Sequence, residues 1–133
     1  MKSDKYKSRY YHDKRERLFP KRQIGGFRLP DYKNKYLINV KRECILSKQI
    51  LRSGTSIAAN IAESKDAQST ADYISKLSIA LKEANETNFW VNSLYEGHYI
   101  NEREFESLNK DSVEMIKLLV SSIKKVKSRA GLL

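Results

Sequence analysis

Leu46-Ser-Lys-Gln-Ile-Leu-Arg-Ser-Gly-Thr-Ser-Ile-Ala-Ala-Asn-Ile-Ala-Glu-Ser64 is the stretch from which the rest of this chain is read. Leu46, Ile50, Ile57 and Ile61 recur near heptad spacing, with Leu51 and Ala58 beside them. That period belongs to an amphipathic helix and predicts one over residues 42–64. Gly54 interrupts the pattern at a cost of about 1 kcal/mol relative to Ala. It lies in Ser53-Gly54-Thr55-Ser56 and is followed by Ala58 and Ala59. Small side chains let a neighbouring backbone come close, so tight packing is expected here; a kink or break at Gly54 is the alternative.

The pattern continues toward the C-terminus. Residues 65–69 are a polar connection, and Ser69 or Thr70 can cap a second helix whose positive N-terminus suits Asp72. Ile74, Leu77, Leu81, Ala84, Val91 and Leu94 form its apolar stripe to about Glu96, and Gly97 fits the position just past its end. Asn101 with Glu104 resembles a capping box and opens a third helix. Phe105, Leu108, Met115, Leu118, Leu119 and Val126 follow at helical spacing, and Gly131 ends it. Short loops make consecutive helices antiparallel neighbours. Tyr73, Ala80, Phe89, Trp90 and Tyr95 widen the second stripe beyond one face, so three helices expose more apolar surface than one copy covers. Either a fourth helix comes from the N-terminal third, or other copies of the chain cover the remainder, or both.

Toward the N-terminus the reading weakens. Residues 1–35 show neither helical nor strand periodicity and are interrupted by Pro20, Gly25, Gly26 and Pro30. They read as an irregular basic segment preceding a bundle domain over 36–129. The chain's net charge is +10 over 133 residues. Residues 1–42 hold 14 Lys/Arg against 4 Asp/Glu, and residues 43–133 hold 12 of each, so all the excess lies in the first third. A basic arm of this kind points to nucleic acid or an anionic surface, but the balanced body gives no such signal. Residues 1–18 have no apolar run of a secretory signal, Cys44 is the only cysteine, and no stretch approaches the ~18 apolar residues of a membrane span. A cytoplasmic protein without a membrane partner is expected. His12 and His98 lack partners at ligand spacing, so neither a metal nor a cofactor is expected.

With Arg52-Ser53 and Asn60-Ile61-Ala62-Glu63 in the first stretch, and Ile74-Ser-Lys-Leu-Ser-Ile-Ala-Leu-Lys-Glu-Ala-Asn-Glu86 in the second, the chain resembles a bacterial four-helix-bundle family. That family includes proteins encoded in 23S ribosomal RNA intervening sequences and the accessory variability proteins of diversity-generating retroelements. The resemblance covers about residues 36–127, with Leu94-Tyr95-Glu96 and Tyr99-Ile100 also fitting. It implies an all-α, antiparallel up-down four-helix bundle that assembles as a homopentamer. It also implies a role beside RNA or a reverse transcriptase, and no enzymatic activity. The first helix of that pattern is poorly defined here. Lys35-Tyr36-Leu37 fits, but Phe27-Arg-Leu-Pro-Asp-Tyr-Lys33 places Pro30 where a helix would lose about 3 kcal/mol. One hypothesis is a change of reading frame: codons for that string, read one base later, can spell Phe-Ala-Tyr-Arg-Ile-Ile-Lys, and the nucleotide sequence tests it.

Several side chains are candidates for function. Lys41, Arg42, Lys48 and Arg52 lie on or just before the first predicted helix, and Lys48 and Arg52 share a face. Repeated around a ring, that face would present cations to phosphates, and Lys124, Lys125, Lys127 and Arg129 could join it. An ordinary solvated face is the competing reading, as are cations complementing the negative end of a helix. Asn60 and Glu63, beside Gly54, are candidates for polar contacts between helices or subunits. Phe89 and Trp90 are candidates for a subunit interface. Glu83 and Glu86 have no nucleophile or metal partner, and Lys82 with Glu86 reads as a plain i,i+4 pair, so no catalytic residue is expected. A scaffold without a nucleic-acid role is the rival function.

Overall fold

The structure, a computed structural model, describes residues 43–133. The irregular segment expected over 1–35, and Lys41 and Arg42, lie outside those residues. Three helices follow in order: α1 (Leu46–Ser64), α2 (Thr70–Glu96) and α3 (Glu102–Arg129). The described residues contain no strand, and among them no helix is long and apolar enough to cross a membrane.

α1 starts later than the apolar period alone implies, because Glu43 turns back to cap it. Its carboxylate accepts hydrogen bonds from the backbone N–H groups of Ile45 (3.0 Å), Leu46 (2.7 Å) and Ser47 (2.8 Å). The Ser47 hydroxyl donates to the Glu43 carbonyl at 3.1 Å. A helix N-terminus leaves its first N–H groups without partners, and here one side chain takes three of them. Burial raises the Glu43 pKa, but the hydrogen bonds from Ser47, Leu46 and Ile45 outweigh it and hold the carboxyl below its ordinary 4.5. Past the cap, α1 runs unbroken through buried Gly54, so the alternative of a break there does not arise.

The other ends follow the sequence closely. Ser69, not Thr70, caps α2 by accepting from the Asp72 N–H at 3.0 Å. Asn101 and Glu104 form a complete capping box on α3. At the end of α2, Gly97 occupies the expected position but not the left-handed conformation, which falls on His98 (φ 61°). The Tyr99 N–H bonds the Leu94 carbonyl and the His98 N–H bonds the Tyr95 carbonyl, a Schellman closure. α3 ends the same way with Gly131 (φ 69°) in that role. A side chain at such a position is strained and glycine is not, so His98→Gly is expected to stabilise the fold by about 0.5–1 kcal/mol. A chemical-denaturation midpoint that fails to rise would count against this account of the turn.

α2 is the central helix. α1 and α3 each pack on it, while no Cα of α1 comes within 8 Å of a Cα of α3. α2 thus lies between α1 and α3. Ile57 of α1 shares a core with Leu77, Ala80 and Ala84 of α2 and Met115, Leu119 and Ile123 of α3. The two alanines leave room for the larger residues. A second cluster joins Ile50, Val91, Leu94 and Ile100 at the other end of the helices, with Trp90, Phe105 and Leu108 packed against it.

Candidate nucleic-acid interface

The chain direction decides which cations can act together. α1 and α3 both run antiparallel to α2, so the start of α1 shares an end of the molecule with the start of α3. The second core cluster marks that end through Ile50, Leu94 and Leu108. Ile57, Leu77 and Ile123 mark the other. Lys48 and Arg52 therefore lie at one end, and Lys124, Lys125 and Lys127 at the other. From Leu108 to Lys124 along α3 is about 24 Å at 1.5 Å per residue. Within one chain these groups do not form the single surface the sequence had allowed. Heptad and i,i+4 spacing place residues on a face but say nothing of which end of a neighbouring helix that face meets.

The two groups also differ in how their charge is used. Arg52 is already occupied: its guanidinium donates to Glu83 Oε2 at 3.4 Å and forms a close ion pair with Glu86 Oε1. The hydrogen bond to Glu86 raises the Arg52 pKa, and the same bond, helped by Trp90, lowers that of Glu86. Glu86 also accepts from Trp90 Nε1 at 3.2 Å. The i,i+4 pair expected between Lys82 and Glu86 gives way to this clasp between α1 and α2. Because Arg52 and Glu86 are part exposed, Glu86→Gln is expected to weaken the fold by less than about 1 kcal/mol in a denaturant titration, a loss that shrinks with added salt. By contrast, Lys48 and the cations of α3 from Lys117 to Arg129 make no ion pair among the described residues.

The other singled-out residues fall as follows. Glu63 does bridge helices, accepting from Lys76 Nζ at 2.8 Å. Among the described residues Asn60 bonds within its own helix: its Nδ2 donates to the Ser56 carbonyl at 2.9 Å. Trp90 is half-buried against the core beside Ile50 and Leu94, whereas Phe89, edge-on to it at 5.0 Å, is 61% exposed. Inter-helix polar contacts that the sequence reading missed include the Ser53–Thr87 hydroxyl pair at 2.7 Å and Asn88 Nδ2 donating to Asn109 Oδ1 and Ser112 Oγ. Ser53, Thr87 and Ser112 are buried, and small polar residues on an apolar stripe were the available signal.

A profile of the 23S rRNA-intervening sequence protein family matches residues 32–121, more than half of the chain. The chain belongs to that family. A solved structure agrees: a protein of unknown function from the S23 ribosomal protein family of Bacteroides thetaiotaomicron is 47% identical. The alignment covers 90% of this chain and 97% of that one, with a TM-score of 0.67. Among curated proteins none matches. In this member of the intervening-sequence family, Asn60-Ile61-Ala62-Glu63 lies on α1, where Glu63 is one side of the ion pair to α2.

Division of the body along the cross-helix contacts gives its two ends opposite charge. The cut follows Arg52 with Glu83 and Glu86, and Asn88 with Ser112. Residues 43–52 and 83–111 carry 8 acidic and 4 basic side chains. Residues 53–82 and 112–133 carry 4 acidic and 8 basic. The neutral body is therefore an electrostatic dipole of −4 against +4, resolved only once the helices are placed.

Proposed function

We propose that this family member is a non-enzymatic, self-associating helical-bundle protein of the cytoplasm that binds RNA as an accessory factor of ribosomal RNA or of a retroelement reverse transcriptase. The observation that carries this reading is the family match over residues 32–121, since the family's members are tied by name to intervening sequences of 23S rRNA. The basic end of the body supports it, because α3 has no acidic residue after Glu114 and carries five cations from Lys117 to Arg129. The N-terminal third would supply the fourth helix of the bundle. Five copies would then form a ring, with exposed Phe89 among the residues between subunits. No catalytic group, metal or cofactor enters this function.

The test is twofold: sedimentation velocity of the full chain for its mass, and a mobility shift with a structured RNA. A pentamer that retards RNA is the expected result. A monomer, or an oligomer with no RNA retardation at low salt, contradicts it. The second reading is a scaffold that only self-assembles. The zero net side-chain charge of residues 43–133 favours it, and an RNA-free ring would establish it.

A further inference from the structure

We infer that the polyanion is engaged end-on, at the pole of the bundle formed by the C-terminal half of α3, and not along the α1 face that carries Lys48 and Arg52. This deepens the RNA reading and rests on it only for the identity of the polyanion. Lys117 and Lys124 stand one heptad apart on the outer side of α3, about 10.5 Å from each other at 1.5 Å per residue. They flank a shallow groove floored by Ile116 and Val120, with Ser121 between them. Both lysines are exposed, as are Lys125 and Arg129, and Lys127 is half-buried. None of these five is ion-paired among the described residues.

The plain alternative is that cations at a helix end merely complement its dipole. That dipole amounts to roughly half a negative charge at the C-terminus. Five cations with no acidic residue beyond Glu114 exceed it several-fold. Among the described residues, those at the opposite pole (43–52 and 83–111) are net negative, and Arg52 there is spent on Glu83 and Glu86. Within residues 43–133, side-chain charge thus favours a phosphate chain at one end of the bundle over the other. The contacts are to phosphates, without base readout, because the groove offers an apolar floor and lysines but no aromatic or amide side chain.

Two variants of the full chain test this. One replaces the basic pole (Lys117→Gln, Lys124→Gln, Lys125→Gln and Lys127→Gln), and the other replaces Lys48→Gln and Lys110→Gln at the acidic pole. Both keep the cations of residues 1–42, so differences report the body alone. Each is measured by the salt concentration that elutes it from heparin and by filter binding of a structured RNA across salt. The basic-pole variant is expected to elute earlier, and its slope of log affinity against log salt to shrink by about 3, four contacts at roughly 0.7–0.9 each. The acidic-pole variant should match wild type. Equal losses in both variants, or an unchanged slope in the first, overturn the end-on site. Wild type that binds heparin through the basic pole but binds no RNA overturns the RNA reading and leaves the site standing. A Lys124→Gln, Lys125→Gln double variant, expected to lose about half as much slope, serves where the fourfold change alters the circular dichroism.

Discussion

Replacing Leu94 by Ala should cost the fold about 3–4 kcal/mol, read as a drop in the denaturant midpoint at constant slope. Leu94 is fully buried at the junction of α2 with the start of α1 and the turn into α3. Large-to-small changes at such sites lose the transfer free energy of the missing carbons and leave a cavity the surroundings fill only in part. Leu94 also supplies the carbonyl that accepts from the Tyr99 N–H in the closing turn, so its position fixes the path from α2 to α3. Ile45→Ala is the matching control: Ile45 is 72% exposed, and its loss should stay within about 0.5 kcal/mol. A Leu94→Ala protein as stable as wild type would mean that the second core cluster is not packed as described.

Glu43→Ala should be the largest polar effect, about 2 kcal/mol, the upper range for loss of a helix cap. Three backbone N–H groups lose their acceptor together, and they belong to the first turn of the helix that contributes Ile57 to the first core cluster and Ile50 to the second. The variant also carries a pH signature. The folded-state pKa of Glu43 lies below its unfolded value, so the folded state favours the ionised form. The stability this gives is fully present above about pH 4.5 and is lost as pH falls through the lower folded value. Glu86, held low by Arg52, adds in the same direction. Wild-type stability should therefore fall more steeply than that of Glu43→Ala on acidification below pH 4.5. Parallel curves would remove the cap from the account.

Much of this architecture is legible from local pattern. Ser69, Asn101 with Glu104, and Gly131 announce helix ends because caps and left-handed closures need those side chains or their absence. His98 in the left-handed position was not legible, because the closing turn is set by the distance from α2 to Asn101 and not by the preference of the residue there. Nor was Glu43, since glutamate is not a favoured cap and only the path of the backbone brings its carboxylate under the first turn. The candidate site was half legible. The sequence marks Lys124, Lys125 and Lys127 as cations, yet helix direction alone separates them from Lys48 and Arg52. Arg52 shows the same limit: Glu83 and Glu86 lie more than thirty positions away, and only the packing of α2 on α1 brings them to it. Net charge misleads in the same way, since a body with 12 charges of each sign reads as neutral until its helices give each sign an end.

The most direct test of the central claim is a filter-binding titration of the full chain against a structured RNA at 50 and 200 mM salt. Binding through phosphates predicts an affinity that falls by orders of magnitude between the two, as counterions are no longer released at a gain. Affinity that is absent at 50 mM, or unchanged at 200 mM, contradicts it.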